Sequence, residues 1–230
     1  MTVKRDFLSL LDCTADELDG LVQRAKALKA LQRDGRLHRP LEGRTLAMIF
    51  QQHSTRTRVA FETGMTQLGG HAVVLAPEDT QLGRGEPIED TARVLSEMVD
   101  IVTIRTGSHE DLIRFASSAS IPVINAMTSR CHPCQLLADV LTFEELRGPL
   151  AGRTVAFVGD GYNMCHSYIN AARQWGFRLK IACPEGYRPD PEFLSGSNEA
   201  TLVESAREAV EGAELVVTDV WSSIGHEEEA

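Results

Sequence analysis

From residue 14 to 33 apolar side chains recur every three or four positions, with Leu18, Leu21, Val22, Ala25, Leu28 and Leu31 on one stripe and Thr14 and Glu17 in capping-box spacing at its start. This pattern predicts an amphipathic helix. Short apolar runs rich in β-branched residues then alternate with helical stripes, giving strands near 45–50, 71–75, 100–104 and 121–124 and helices near 56–68, 88–98 and 108–118. Such alternation implies a parallel sheet. A helix near 133–146 ends at Gly148-Pro149, and a second alternation follows: strand 153–158, helix 163–175, strand 178–182, helix 199–210, strand 214–218. The expected fold is α/β in two domains, each a parallel sheet flanked by helices. Residues 1–149, with 133–146 as a linking helix, form the first, and 150–230 form the second.

Composition narrows the function classes. The 230 residues carry a formal charge of −10, so the summed field repels nucleic acid and anionic lipid, and any bound anion must be captured locally. No apolar run approaches the roughly 20 residues of a membrane span, and no signal-like segment follows the start, which points to a cytoplasmic protein. The five cysteines, Cys13, Cys131, Cys134, Cys165 and Cys183, are odd in number and scattered, as expected for reduced thiols.

Two segments concentrate chemistry. Ser54-Thr55-Arg56-Thr57-Arg58 follows the first strand and opens a helix. There, unpaired N–H groups and the positive dipole end favour an anion, hydroxyls add donors, and a guanidinium can grip two phosphate oxygens. A simple N-cap with solvated arginines is the plainer reading. Cys131-His132-Pro133-Cys134-Gln135 opens a later helix at the carboxyl side of a strand, where open α/β sheets bind ligands. A neutral imidazole can donate to a carbonyl oxygen gaining charge, and Gln135 can pair with an amide. Here too a histidine capping its own helix is the plainer reading, and a redox or zinc site is weaker because no second cysteine pair exists.

Further along, Gly159-Asp160-Gly161-Tyr162-Asn163-Met164 resembles a dinucleotide turn, with Met164 in place of the third glycine. Arg105 stands directly after a strand, and Asp219 ends another and leads into Val220-Trp221-Ser222-Ser223-Ile224-Gly225. Residues 79–87 form a polar, glycine-rich loop.

Together, STRTR at 54–58, HPCQ at 132–135, TQLGRGEPIEDTARVLS at 80–96, GDGYNMCHS at 159–167 and TDVWSSIG at 218–225 resemble the carbamoyltransferase family, its ornithine branch rather than its aspartate branch. The resemblance implies that Ser54, Thr55, Arg56 and Thr57 bind the phosphate of carbamoyl phosphate, that Arg105 bridges phosphate and carbonyl oxygen, and that His132 polarises that oxygen. It also implies that Gln135 holds the carbamoyl amide, that Gln81 reaches a neighbouring subunit's site in a homotrimer or higher homo-oligomer, and that Asn163, Asp219, Ser223 and Ile224 hold ornithine. Citrulline and phosphate would be the products, with no metal or redox cofactor.

Gln52 replaces the usual lysine, Ile224 the usual methionine and His226 a common glutamine. The chain is expected to stop before the family's last catalytic segment. With three strand candidates in the second half, 153–158 is expected to be a bare edge, and the chain a fragment or partly disordered after about residue 190. Another amine (putrescine or an acylated ornithine), a non-catalytic carbamoyl-phosphate-binding remnant and a nicotinamide oxidoreductase are the competing readings.

Overall fold

The computed structural model describes residues 4–52, 54–76 and 85–219. The capping box forms as expected: the Thr14 N–H donates to Glu17 Oε2 (2.9 Å) and the Glu17 N–H to Thr14 Oγ1 (3.3 Å), starting α1 (Ala15–Arg33). Leu18 and Val22 are buried, whereas Leu21 is 45% exposed, so the buried stripe is narrower than the sequence suggests.

The first unit comprises residues 1–8 and 23–128. Its strands β1 (Thr45–Phe50), β2 (His71–Leu75), β3 (Ile101–Arg105) and β4 (Val123–Met127) form a wholly parallel sheet in the order β2-β1-β3-β4. Side chains alternate across β1. Ala47 and Ile49 join a core with Val102, Leu112 and Phe115, supplied in part by α4 (His109–Ser118), with Ala92 of α3 (Ile88–Ser96). Leu46, Met48 and Phe50 join Met65 of α2 (Thr55–Gln67). Burial on both faces explains the continuous apolar runs.

The second unit comprises residues 9–22 and 129–230. Strands β5 (Thr154–Val158), β6 (Arg178–Ala182), β7 (Ala200–Leu202) and β8 (Leu215–Val217) are parallel in the order β7-β6-β5-β8. Helices α5 (Pro133–Arg147), α6 (Asn163–Trp175), α7 (Pro191–Ser195) and α8 (Ala206–Val210) complete it. Three expectations change here. Strand β5 is no bare edge, because β6 and β8 pair with its two sides. Regular elements continue beyond residue 190, through α7, β7, α8 and β8. The helix expected at 199–210 is instead β7 followed by α8, divided where the Ser205 side chain accepts the Glu208 N–H (3.2 Å).

By contact the chain divides between 128 and 129, so the linking helix expected at 133–146 packs with the second unit. Helix α5 is tied to α6 by the Tyr168–Asp139 hydrogen bond (2.8 Å), and the Gln174 amide donates to the carbonyls of Leu10 (3.0 Å) and Cys13 (2.8 Å). These bonds group α5 and residues 9–22 with the second sheet.

Candidate active site

In the first unit β1 is followed by β2 on one side and flanked by β3 on the other, so the chain direction diverges between β1 and β3 and leaves a crevice at their carboxyl ends. Gln51, Gln52, Ser54 and Arg105 flank it. Ser54 is the extended N-cap residue of α2 (φ −157°), but its side chain makes no capping hydrogen bond and the first turn holds no acidic residue. The plain N-cap reading of Ser54 therefore does not hold. Arg105 pairs in register with Phe50, and its carbonyl accepts the Gln51 N–H (2.9 Å).

The Arg105 side chain is half-buried and its Nε has no hydrogen-bond partner among the described residues. Burial, then the nearby Arg56 guanidinium, hold its pKa below the ordinary arginine value, with no carboxylate among the causes. Arg105 stays charged at neutral pH, so the cation at the end of β3 and Arg56 at the start of α2 repel each other, and among the described residues no carboxylate offsets them at Arg105, an arrangement that an anion would relieve. Arg58, next along the helix, pairs with Glu62 (Nε–Oε1 2.8 Å).

In the second unit the divergence lies between β5 and β8. The turn after β5 carries Asn163, first residue of α6, and Asp219 follows β8. A Cβ on Gly159 would stand 3.8 Å from the Asp219 backbone nitrogen, so both segments end at one edge of the sheet. Gly161 donates its N–H to Tyr187 O (2.7 Å), and a Cβ there would lie 2.1 Å from the Pro189 nitrogen. This glycine makes room for the protein's own chain, where a dinucleotide turn makes room for a pyrophosphate, which argues against the nicotinamide reading. Gly161→Ala is expected to destabilise the fold by about 3 kcal/mol, because backbone atoms would have to move; a chemical melt at constant slope measures this.

His132 is the N-cap residue of α5, 8% exposed, and its imidazole makes no cap hydrogen bond, so it does not cap its own helix. Its N–H donates to Ser167 Oγ (2.7 Å). Gln135 is exposed, and its Nε2 donates to Asp139 Oδ1 (2.9 Å). An ionised carboxylate only accepts, which fixes which end of the amide is NH2 and turns the carbonyl oxygen away from Asp139. Burial and the neighbouring Cys131 push the Cys134 thiol up to about 12, so it stays neutral at physiological pH, unlike a redox or metal-binding thiolate. None of Cys13, Cys131, Cys134, Cys165 and Cys183 forms a disulfide.

One histidine was not anticipated. His166 donates from Nδ1 to Arg130 O (3.0 Å), accepts the Asp190 N–H at Nε2 (3.0 Å) and stacks on Phe193 at 4.0 Å between centroids. Arg130 lies over the same ring at 4.9 Å and pairs with Asp190 (3.6 Å) and Glu192. Burial, the largest cause, lowers the His166 pKa below 6.5. The unfolded chain then takes up the proton first as pH falls, so the stability due to neutral His166 is complete above about 6.5 and declines below it. Melting temperature is expected to fall from pH 7 to 5, less so in His166→Gln.

Gln81, Ser223 and Ile224 lie outside the described residues. Within each unit the remaining expected residues gather at the carboxyl ends of strands or at a helix start: Ser54, Thr55, Arg56, Thr57 and Arg105 in the first, and His132, Gln135, Asn163 and Asp219 in the second. Ser167 and Asp139, which contact the second group, and Tyr168, which bonds to Asp139, were not anticipated.

Comparison with known proteins covers the same ground. Residues 5–145 match the aspartate/ornithine carbamoyltransferase carbamoyl-P binding domain, and residues 151–230 match the Asp/Orn binding domain of that family. The chain is 59% identical over 230 residues to an ornithine carbamoyltransferase of Nitrosococcus oceani, covering all of this chain and 75% of that protein. It is 57% identical over 226 residues to one of Halorhodospira halophila, covering 98% of this chain and 75% of the relative. The solved ornithine carbamoyltransferase of Pyrococcus furiosus superposes with a TM-score of 0.93 at 46% identity, covering 99% of this chain and 75% of that one. Matched in both halves, the chain belongs to the aspartate/ornithine carbamoyltransferase family.

Proposed function

We propose that this protein transfers the carbamoyl group of carbamoyl phosphate to the δ-amine of ornithine, giving citrulline and phosphate, the ornithine carbamoyltransferase reaction of arginine biosynthesis. The observation that carries the donor half is the half-buried Arg105 at the end of β3, repelled by Arg56 of a helix start without an acidic residue in its first turn. Two cations and free backbone N–H groups suit a dianion. The relatives of 57–59% identity named ornithine carbamoyltransferase support the acceptor.

In this reading Ser54, Thr55, Arg56 and Thr57 hold the phosphate while Arg105 reaches both phosphate and carbonyl oxygen. The neutral δ-amine attacks the carbonyl carbon. As the carbon becomes tetrahedral its oxygen gains negative charge, which Arg105 and the His132 imidazole stabilise, each such donor being worth roughly 2.7–4 kcal/mol. The Gln135 carbonyl oxygen accepts from the carbamoyl NH2. Collapse expels phosphate, and the nitrogen that attacked loses its proton to solvent or phosphate. Asn163, Asp219, Ser223 and Ile224 hold ornithine, with Asp219 opposite its α-ammonium. No metal or redox cofactor is required. The same reading makes the protein a cytoplasmic homotrimer or higher homo-oligomer, Gln81 serving a neighbouring subunit.

Asp219→Asn tests the amine assignment. The KM for ornithine is expected to rise by about 30-fold or more, as for loss of one side of a buried charge pair, while carbamoyl phosphate affinity stays unchanged. An unaltered ornithine response would refute the role of Asp219. Offering putrescine and N-acetylornithine beside ornithine tests the acceptor itself, since a faster reaction with either would move the protein to another amine.

A further inference from the structure

Three consecutive residues of α6 reach the segment that bears His132 and Gln135. His166 donates to Arg130 O (3.0 Å), pinning the chain two residues before His132. Ser167, 1% exposed, gives its hydroxyl proton to Asn163 O (2.6 Å) and accepts the His132 N–H (2.7 Å). A hydroxyl has one proton. With that proton committed to Asn163, the oxygen faces His132 as an acceptor, and one atom joins the backbones of both residues. Tyr168 donates to Asp139 Oδ2 (2.8 Å), and Asp139 Oδ1 accepts from Gln135 Nε2 (2.9 Å). Burial and Asp139 push the Tyr168 hydroxyl far above its usual range, so it remains a donor at all physiological pH.

We propose that Ser167 and Tyr168 are positioning residues for carbamoyl transfer. Ser167 sets the backbone from which the His132 imidazole projects and ties it to Asn163. Tyr168, through Asp139, sets which end of the Gln135 amide meets the carbamoyl group. The proposal rests on the functional reading above, in which His132 and Gln135 engage that group.

Helix α6 itself needs neither contact. A serine inside a helix satisfies its hydroxyl by bonding the carbonyl four residues back, as Ser167 does with Asn163, and acceptance of an N–H from 35 residues away serves the other segment. The Tyr168 ring packs on Phe157 at 6.0 Å between centroids, a contact that phenylalanine would keep.

The test uses Ser167→Ala, Tyr168→Phe and Asp139→Asn in the full chain. Citrulline formation gives kcat and the KM of each substrate, and NMR gives hydrogen exchange at the His132 amide. Ser167→Ala is expected to lower kcat by about 100-fold, the scale of a catalytic group displaced by about an ångström, and to speed exchange at the His132 N–H. Tyr168→Phe is expected to raise the KM for carbamoyl phosphate while leaving that for ornithine unchanged. Asp139→Asn should raise it further, because an asparagine NH2 would draw the Gln135 oxygen toward itself and reverse the amide. Wild-type kinetics in all three variants, or unchanged His132 exchange in Ser167→Ala, would overturn the proposal. If the unsubstituted protein forms no citrulline, the functional reading fails, and the exchange measurement alone decides the positioning role of Ser167.

Discussion

Arg105→Met is expected to weaken carbamoyl phosphate binding by roughly 30-fold to several thousand-fold, the range of about 2–5 kcal/mol for deleting one partner of a desolvated charge pair. In the same variant the melting temperature without ligand should hold or rise. The opposite signs follow from one arrangement. Arg105 is half-buried, its Nε lacks a hydrogen-bond partner among the described residues, and Arg56 repels it. Before any anion arrives these are costs, and methionine removes them while keeping the apolar stem. Once a dianion is bound they become the main attraction. Calorimetric titration and differential scanning calorimetry on the same samples read both effects. Lower ligand-free stability with intact affinity would mean that Arg105 is a structural cation.

His132→Ala should reduce kcat by about 10²- to 10³-fold, as for loss of one preorganised oxyanion donor, and should leave carbamoyl phosphate affinity within a few-fold. This asymmetry follows from the proposed roles, in which Ser54–Thr57 and Arg105 make the phosphate contacts and the imidazole acts on an oxygen that gains charge only during attack. The fold should tolerate the change. Residue 132 meets α6 through its backbone N–H, which alanine keeps. Rate constants under saturating substrates, compared with calorimetric affinities, check the split.

How much of this was legible in the sequence depended on how local the determining interaction is. Strands β1 to β6, except β4's exact end, and helices α5 and α6 follow from runs and stripes that each element carries within itself, and α6 begins and ends where the pattern places it. The stretch 199–210 misled because Ala200-Thr201-Leu202 is too short to show a period. The correct boundary was nonetheless written in Ser205 and Glu208, three residues apart, the signature of a helix start. Strand β8 covers the side of β5 that had been expected bare, and pairing between residues some 60 positions apart leaves no mark on local pattern.

The site shows the same contrast. Ser54–Thr57 and His132–Gln135 are contiguous motifs that residue type and position single out, whereas Arg105 and Asp219, each at or just past a strand end, take their proposed roles from the family resemblance. Ser167 and Tyr168 reach partners 35 and 29 residues away. One clue was available: Ser167 lies four residues after Asn163, hence on the same face of a helix that carries a candidate ligand.

The central claim is carbamoyl transfer to ornithine, and the most direct test is the fate of labelled carbon. The protein would be incubated with carbonyl-¹³C carbamoyl phosphate and excess ornithine, and the products separated by mass spectrometry. The account predicts ¹³C in the ureido carbon of citrulline with one phosphate released per citrulline. Phosphate released without labelled citrulline, or label found only on another amine offered in the same mixture, would contradict it.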